Sequence, residues 1–98
     1  MTIGEVIKDL LRRKNISQKE LAGRIGKSTT AVSQIVKGVY QPTPDTLEKI
    51  AKELDIPVAI IHFLTISEDQ IPEDKKEMYN FFAPTMEDYI YKIFAMEK

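Results

Sequence analysis

Cysteine is absent from the 98 residues. No disulfide framework can form, and no thiolate is available for metal binding or nucleophilic attack, so a cytoplasmic location is the default expectation. Tryptophan is absent too, and the one histidine, His62, lies in an apolar run where a packed or partly exposed core residue is expected rather than a catalytic base. Residues 57–66 are apolar but fall well short of the ~20 residues that cross a bilayer. The opening MTIGEVIKDLL lacks both the basic start and the unbroken apolar stretch of a secretory signal. Phosphate-binding loops, dinucleotide fingerprints and metal-ligand spacings are missing. The acidic pairs Glu68-Asp69, Glu73-Asp74 and Glu87-Asp88 are sequence neighbours, and neighbours on a helix do not face one another. They suit helix starts, through the dipole. Neither catalysis, a cofactor, a metal nor a membrane partner is expected. A small-molecule ligand is not expected either, since a tail of about thirty residues leaves little room for a pocket.

What is present is one small domain with an appendage and an uneven charge distribution. The net charge is −1. Residues 1–54 carry ten Lys/Arg against six Asp/Glu, whereas residues 55–98 carry four against nine. A basic front and an acidic back suit a module that turns one surface toward phosphates; ordinary surface solvation accounts for such a split equally well.

Hydrophobic spacing is helical throughout. Thr2 and Glu5 form a capping-box pattern ahead of Ile3, Val6, Ile7, Leu10 and Leu11, predicting a helix over 3–14 that Asn15 can end. Ser17 and Glu20 repeat the pattern ahead of Leu21, Ala22 and Ile25, and Gly26 suits a sharp turn. Ser28 then caps a helix predicted over 28–37. With 100° per residue, Thr29, Thr30, Ser33, Gln34 and Lys37 share one arc of it, while Ala31, Val32, Ile35 and Val36 share the other. One face is built for burial and the other for a polar surface. Thr43 and Pro44 open a fourth helix with Leu47, Ile50, Ala51 and Leu54 inward. A nearly all-apolar fifth helix follows, holding Val58, Ala59, Ile60, Ile61, Phe63 and Leu64, and it needs cover on more than one side, which a second copy could supply. In the tail, a short helix over 75–82 is expected to stop at Pro84-Thr85. A last one then carries Met86, Tyr89, Ile90, Ile93 and Phe94 at helical spacing, with Tyr79, Phe81, Phe82, Tyr89 and Phe94 on packing faces.

The ordered set formed by Gln18, Glu20-Leu21-Ala22, the turn at Gly26, Val32-Ser33-Gln34-Ile35, Gly38, Pro42-Thr43-Pro44-Asp45-Thr46-Leu47 and Ile50-Ala51-Lys52-Glu53-Leu54 resembles the phage-repressor-type (lambda/Cro-like, XRE) helix-turn-helix family. The likeness covers about two thirds of the chain. It implies an all-α, five-helix lambda-repressor-like helix-turn-helix domain over 1–66; the tail departs from the bare family pattern, and its own residues predict two short additional C-terminal helices over 67–98 that pack or dimerise.

The polar arc has the chemistry such a module needs. The major groove admits one α-helix and presents a different donor and acceptor pattern for each base pair. Ser28, Thr29, Thr30, Ser33 and Gln34 donate and accept; an amide such as Gln34 can hold adenine in two places, and threonine methyls can meet the thymine methyl. Capping alone also accounts for Ser28, Thr29 and Thr30. Similar regulators use the first residues of this helix and the position of Gln34 for base contact. The resemblance further implies that Gln18, at a helix N-terminus, touches phosphate and braces Thr29. Lys19, Lys27, Lys37 and Tyr40 are candidate phosphate contacts or solvated surface residues. The expected function is sequence-specific binding of double-stranded DNA in transcriptional control, as a homodimer joined through Ile61, Phe63 and Leu64 or through Tyr89, Ile90, Ile93 and Phe94, about half of which must instead serve the core. The alternative is a helix-turn-helix protein-interaction module, such as an antitoxin or polymerase-binding factor, for which the acidic, aromatic tail is the main support.

Overall fold

A computed structural model describes residues 1–95. Helix α1 (Ile3–Lys14) starts where its capping box closes: the Thr2 hydroxyl accepts from the Glu5 amide at 3.1 Å, and the Glu5 carboxylate accepts from the Thr2 amide at 2.7 Å. Asn15 ends it in the left-handed region at φ 58°, a conformation asparagine tolerates better than most residues. α2 (Gln18–Ile25) repeats the capping box with Ser17 and Glu20, both bonds at 3.0 Å. The hydrogen bonds from Ser17 hold the Glu20 carboxyl below its ordinary range.

Gly26, at φ 71°, turns the chain into α3 (Thr29–Val36). α4 (Pro44–Leu54) is capped by Thr43, whose hydroxyl accepts from the Thr46 amide, and it ends on Asp55 at φ 56°. α5 (Val58–Leu64) follows at once. Among the described residues the chain then makes two 3-10 turns (Glu68–Gln70 and Glu73–Lys75), a sixth helix α6 (Lys76–Ile90) and a π-helical turn (Tyr91–Ala95). No strand occurs among them.

Ile7, Leu10, Leu21, Val32, Ile50, Leu54 and Ile61 are fully enclosed at the centre of one core, drawn from all of the first five helices. α1 threads through it, touching α3, α4 and α5. The closest approach is at Gly4: a Cβ there would lie 2.5 Å from the carbonyl oxygens of both Ile35 and Val36. A backbone carbonyl at that range cannot yield as a flexible side chain can, so only glycine lets the first turn of α1 sit on the last turn of α3.

The cover for α5 comes from the protomer itself. Ile61 and Leu64 are buried in the core, with Val58, Ile60 and Phe63 partly buried against it and Ala59 and His62 turned out. A second copy is not needed to cover Ile61 and Leu64, which are buried within the protomer and so do not lie on its surface.

The tail departs from expectation in where it divides. α6 runs through Pro84 without ending, and the change of helix type falls at Tyr91. Proline inside a helix removes a hydrogen bond and crowds the preceding turn. Here Ala83 and Ile90, seven residues apart and both buried, hold one face of the helix on either side of it. Asn80 also ties α6 back to the first 3-10 turn by donating to the Glu68 carboxylate at 3.0 Å.

The end of the tail is clamped to α1. Ile90 and Ala95 join the main core, and the guanidinium of Arg13 lies 3.9 Å from the centre of the Tyr91 ring. Arg13 also donates to Asp9 at 2.8 Å, and Arg12 bonds the same carboxylate. Burial pushes the Asp9 carboxyl up, but the bonds from the two arginines outweigh it and hold it below the usual range. Arg13, in the last turn of α1 where positive charge complements the helix dipole, thus also helps to anchor the tail.

Gly4→Ala is expected to destabilise the fold by about 1–3 kcal/mol, the range for overpacking a close contact. Gly23, where an added Cβ meets nothing within 4 Å, is the control: Gly23→Ala in mid-helix should stabilise by about 0.5–1 kcal/mol. Denaturant midpoints measure both, and a Gly4→Ala chain as stable as the parent contradicts the close-approach account.

Candidate nucleic-acid interface

α3 divides by chemistry as its sequence predicts. Val32, Ile35 and Val36 are buried against α1 and α2, and Ala31 is half-buried. Thr29, Thr30 and Lys37 are exposed, and Ser33 and Gln34 are half-exposed between them. None of these five side chains is hydrogen-bonded or ion-paired to another side chain among the described residues.

The boundaries differ slightly from 28–37. Ser28 is the cap, its hydroxyl accepting from the Ala31 amide at 3.0 Å, and Lys37 is the C-terminal cap ahead of Gly38 at φ 79°. Ser28 therefore uses one of its two acceptor lone pairs to hold the helix end.

Two helix N-termini open onto this region. In α2 the hydrogen bonds begin with the Glu20 and Leu21 amides, and in α3 with those of Ala31 and Val32. The amides of Gln18, Lys19, Thr29 and Thr30 are left without intrahelical partners, the arrangement that receives an anion. Gln18 is half-buried at the start of α2. Its side chain makes no hydrogen bond to Thr29 among the described residues, so the bracing that the resemblance implies is not formed in the free protein.

Charge sharpens the picture. Among the described residues Lys19, Lys27 and Lys37 are exposed and have no carboxylate partner, while Lys75, Lys76 and Lys92 of the tail are each paired with a nearby acid, at 3.5, 3.6 and 3.0 Å. Arg24 at the end of α2 is paired with Glu20 at 3.8 Å. Tyr40, in the turn after α3, is 47% exposed. The candidate residues at the start of α2, on the outer face of α3 and in the turn behind it are thus polar and at least partly exposed, and the three lysines among them have no carboxylate partner among the described residues.

The remaining candidate interface residues, in α5 and the tail, scatter. Ile90 is buried in the core and unavailable, Phe63 and Phe94 are half-buried, and Tyr89 and Ile93 are exposed. Phe81 and Phe82, expected on packing faces, point to solvent. Helical spacing alone does not tell which of two apolar faces turns inward. Among the described residues no group of three or more His, Cys, Asp or Glu side chains could hold a metal ion, and no helix is long and apolar enough to cross a membrane.

This is the geometry of a helix-turn-helix regulator. A family model described as helix-turn-helix matches residues 7–61, and the chain belongs to that phage-repressor-like family. Its relatives include the "ImmF control region 10 kDa protein" of Bacillus phage phi105, 33% identical over 72 residues that cover 74% of this chain and 77% of that protein. The "Immunity repressor protein" of the same phage is 29% identical over 80 residues, covering 82% of this chain and 53% of the relative. The chain thus spans about half the length of that second relative. No solved structure gives a significant match. The protein is a DNA-binding regulator of a non-enzymatic family.

Capping and reading are separable in α3. Ser28→Ala is expected to lose about 1 kcal/mol of folding stability, the usual loss for a removed N-cap. Thr30→Ala, exposed and uninvolved in the cap, should stay within about 0.5 kcal/mol of the parent. Thermal or urea unfolding of the two variants decides it, and equal stabilities would mean that the Ser28 hydroxyl does not support the helix end.

Proposed function

We propose that the chain is a sequence-specific regulator of transcription that inserts α3 into the major groove of double-stranded DNA, acting as a homodimer in the cytoplasm. The observation that carries this reading is the unengaged polar face of α3, flanked by two open helix N-termini and three unpaired lysines. From Thr29 to Lys37 the helix extends about 12 Å at 1.5 Å per residue, enough to follow the edges of three or four base pairs. Thr29, Thr30, Ser33 and Gln34 read those edges, with Gln34 the most discriminating because its amide both donates and accepts.

Phosphates are held by the free amides of Gln18 and Lys19 and by Lys27, Lys37 and Tyr40, which set the register without reading sequence. Ser28 contributes through its cap and its exposed edge. Control of an immunity region, the role that the relatives' names describe, is the context we infer for this chain.

A second reading, a module that binds a protein and not DNA, draws on the exposed apolar surface of α6. It requires that no duplex be retarded in a gel shift against random DNA at low salt, whereas the first requires a shifted band.

Gln34→Ala should lose roughly 1–3 kcal/mol of discrimination at one base position. Selection of bound sites from a random pool reads this directly, and an unaltered motif removes Gln34 from the reading face. Lys37→Ala should weaken binding to all sequences alike and lower the slope of log K against log salt by about one. Loss of preference at one base with the slope intact would make Lys37 a reader instead.

A further inference from the structure

The outer face of α6 carries large side chains that nothing in the protomer covers. Phe81 is 82% exposed, Met78 75%, Tyr89 56%, Phe82 46% and Met86 38%. The tail is already anchored without them, through Ile90, Ala95 and the Arg13–Tyr91 stack. With about 200 Å² for each fully exposed side chain of this size, the five present roughly 600 Å² of apolar surface. The largest such patch on a typical monomer is of about that size and is often functional.

Their order along the helix is symmetric. Met78, Phe82, Thr85 and Tyr89 are spaced four, three and four residues apart, the interval of a helix–helix seam, and Phe81 and Met86 flank it. Turned end for end about the point between Ala83 and Pro84, the pattern falls on itself: Met78 meets Tyr89, Phe81 meets Met86 and Phe82 meets Thr85. All six positions are exposed. An isologous two-fold contact demands this kind of self-match, and a foreign partner would not require it.

The ends also differ in shape. Ile71, Pro72, Met78, Tyr79, Phe81 and Phe82 line an apolar groove of about 610 Å³ at the start of the helix, and Tyr89 projects at the other end. A stable interface takes about 800 Å² per partner. The stripe supplies most of that, and the groove walls and the polar rim add the remainder.

We infer that α6 of one copy pairs antiparallel with α6 of a second copy of this chain, Tyr89 of each seating against Met78 and the groove of the other. This names the surface of the homodimer proposed above and rests on that part of it alone.

Light scattering of the full chain tests it. The wild type should run at twice the 11.2 kDa chain mass at about 100 µM, where a micromolar Kd leaves most chains paired. F81E/Y89E, altered only at exposed positions, should run two-fold lighter with unchanged helical circular dichroism. A monomeric wild type overturns the proposal and hands the face to a different protein; so does a variant that stays dimeric, which would place the contact elsewhere.

Because the chain has no cysteine, single cysteines report the register independently. Thr85→Cys copies should join to each other under mild oxidant or a short bifunctional thiol reagent. Met78→Cys should join efficiently to Tyr89→Cys and not to itself. Self-joining of Met78→Cys means a parallel pair and overturns the register. Gel shift of the wild type, run alongside, keeps the two readings apart: a dimer that shifts no DNA sinks the proposed function and leaves this interface standing.

Discussion

Everything about α3 depends on the backbone-to-backbone contact at Gly4. An eight-residue helix is far too short to be stable by itself, and its outer face is polar, so it contributes nothing to its own burial. What orders it is the packing of Val32, Ile35 and Val36, together with the first turn of α1 resting on the Ile35 and Val36 carbonyls. That contact leaves no room for a side chain and therefore none for sliding. The orientation of the polar face is set from behind, by α1 and α2, and the face needs no contacts of its own to stay in place. A surface free of internal partners is the surface a ligand can use.

The first four helices were readable from residues because the start of each has a local chemical cause. Thr2, Ser17, Ser28 and Thr43 are caps whose hydroxyls accept the amide three residues on, and a cap depends on adjacent residues alone. The two faces of α3 were equally plain, since burial of Val32, Ile35 and Val36 follows from period and hydrophobicity. The special role of Gly4 left no such trace. Its neighbours in space are Ile35 and Val36, more than thirty positions away along the chain, and a glycine early in a helix otherwise signals only weakness.

The tail was less legible, for reasons of the same kind. Pro84 is a local signal to stop, and it was overruled by packing on both sides of it. The aromatic residues signal burial, but α6 has apolar positions around most of its circumference. Only the tertiary anchors decide that Ala83 and Ile90 face inward and that Phe81 and Met78 face out. The decisive anchor, Arg13 over Tyr91, joins two residues seventy-eight positions apart, each unremarkable in its own neighbourhood.

These anchors also explain how a chain of net charge −1 can present a cationic face. Among the described residues the lysines of the tail, Lys75, Lys76 and Lys92, are paired with carboxylates one, three and four residues away, so its acidic excess is carried by the remaining carboxylates. At physiological salt a charge is screened over about 8 Å, whereas the molecule measures 44 Å along its longest axis. A phosphate approaching Lys27 or Lys37 therefore responds to the charges within a turn or two of α3, and hardly to the total. Net charge bears on solubility and on encounters at low salt. Close to α3, the local excess of unpaired lysine decides, and it is positive.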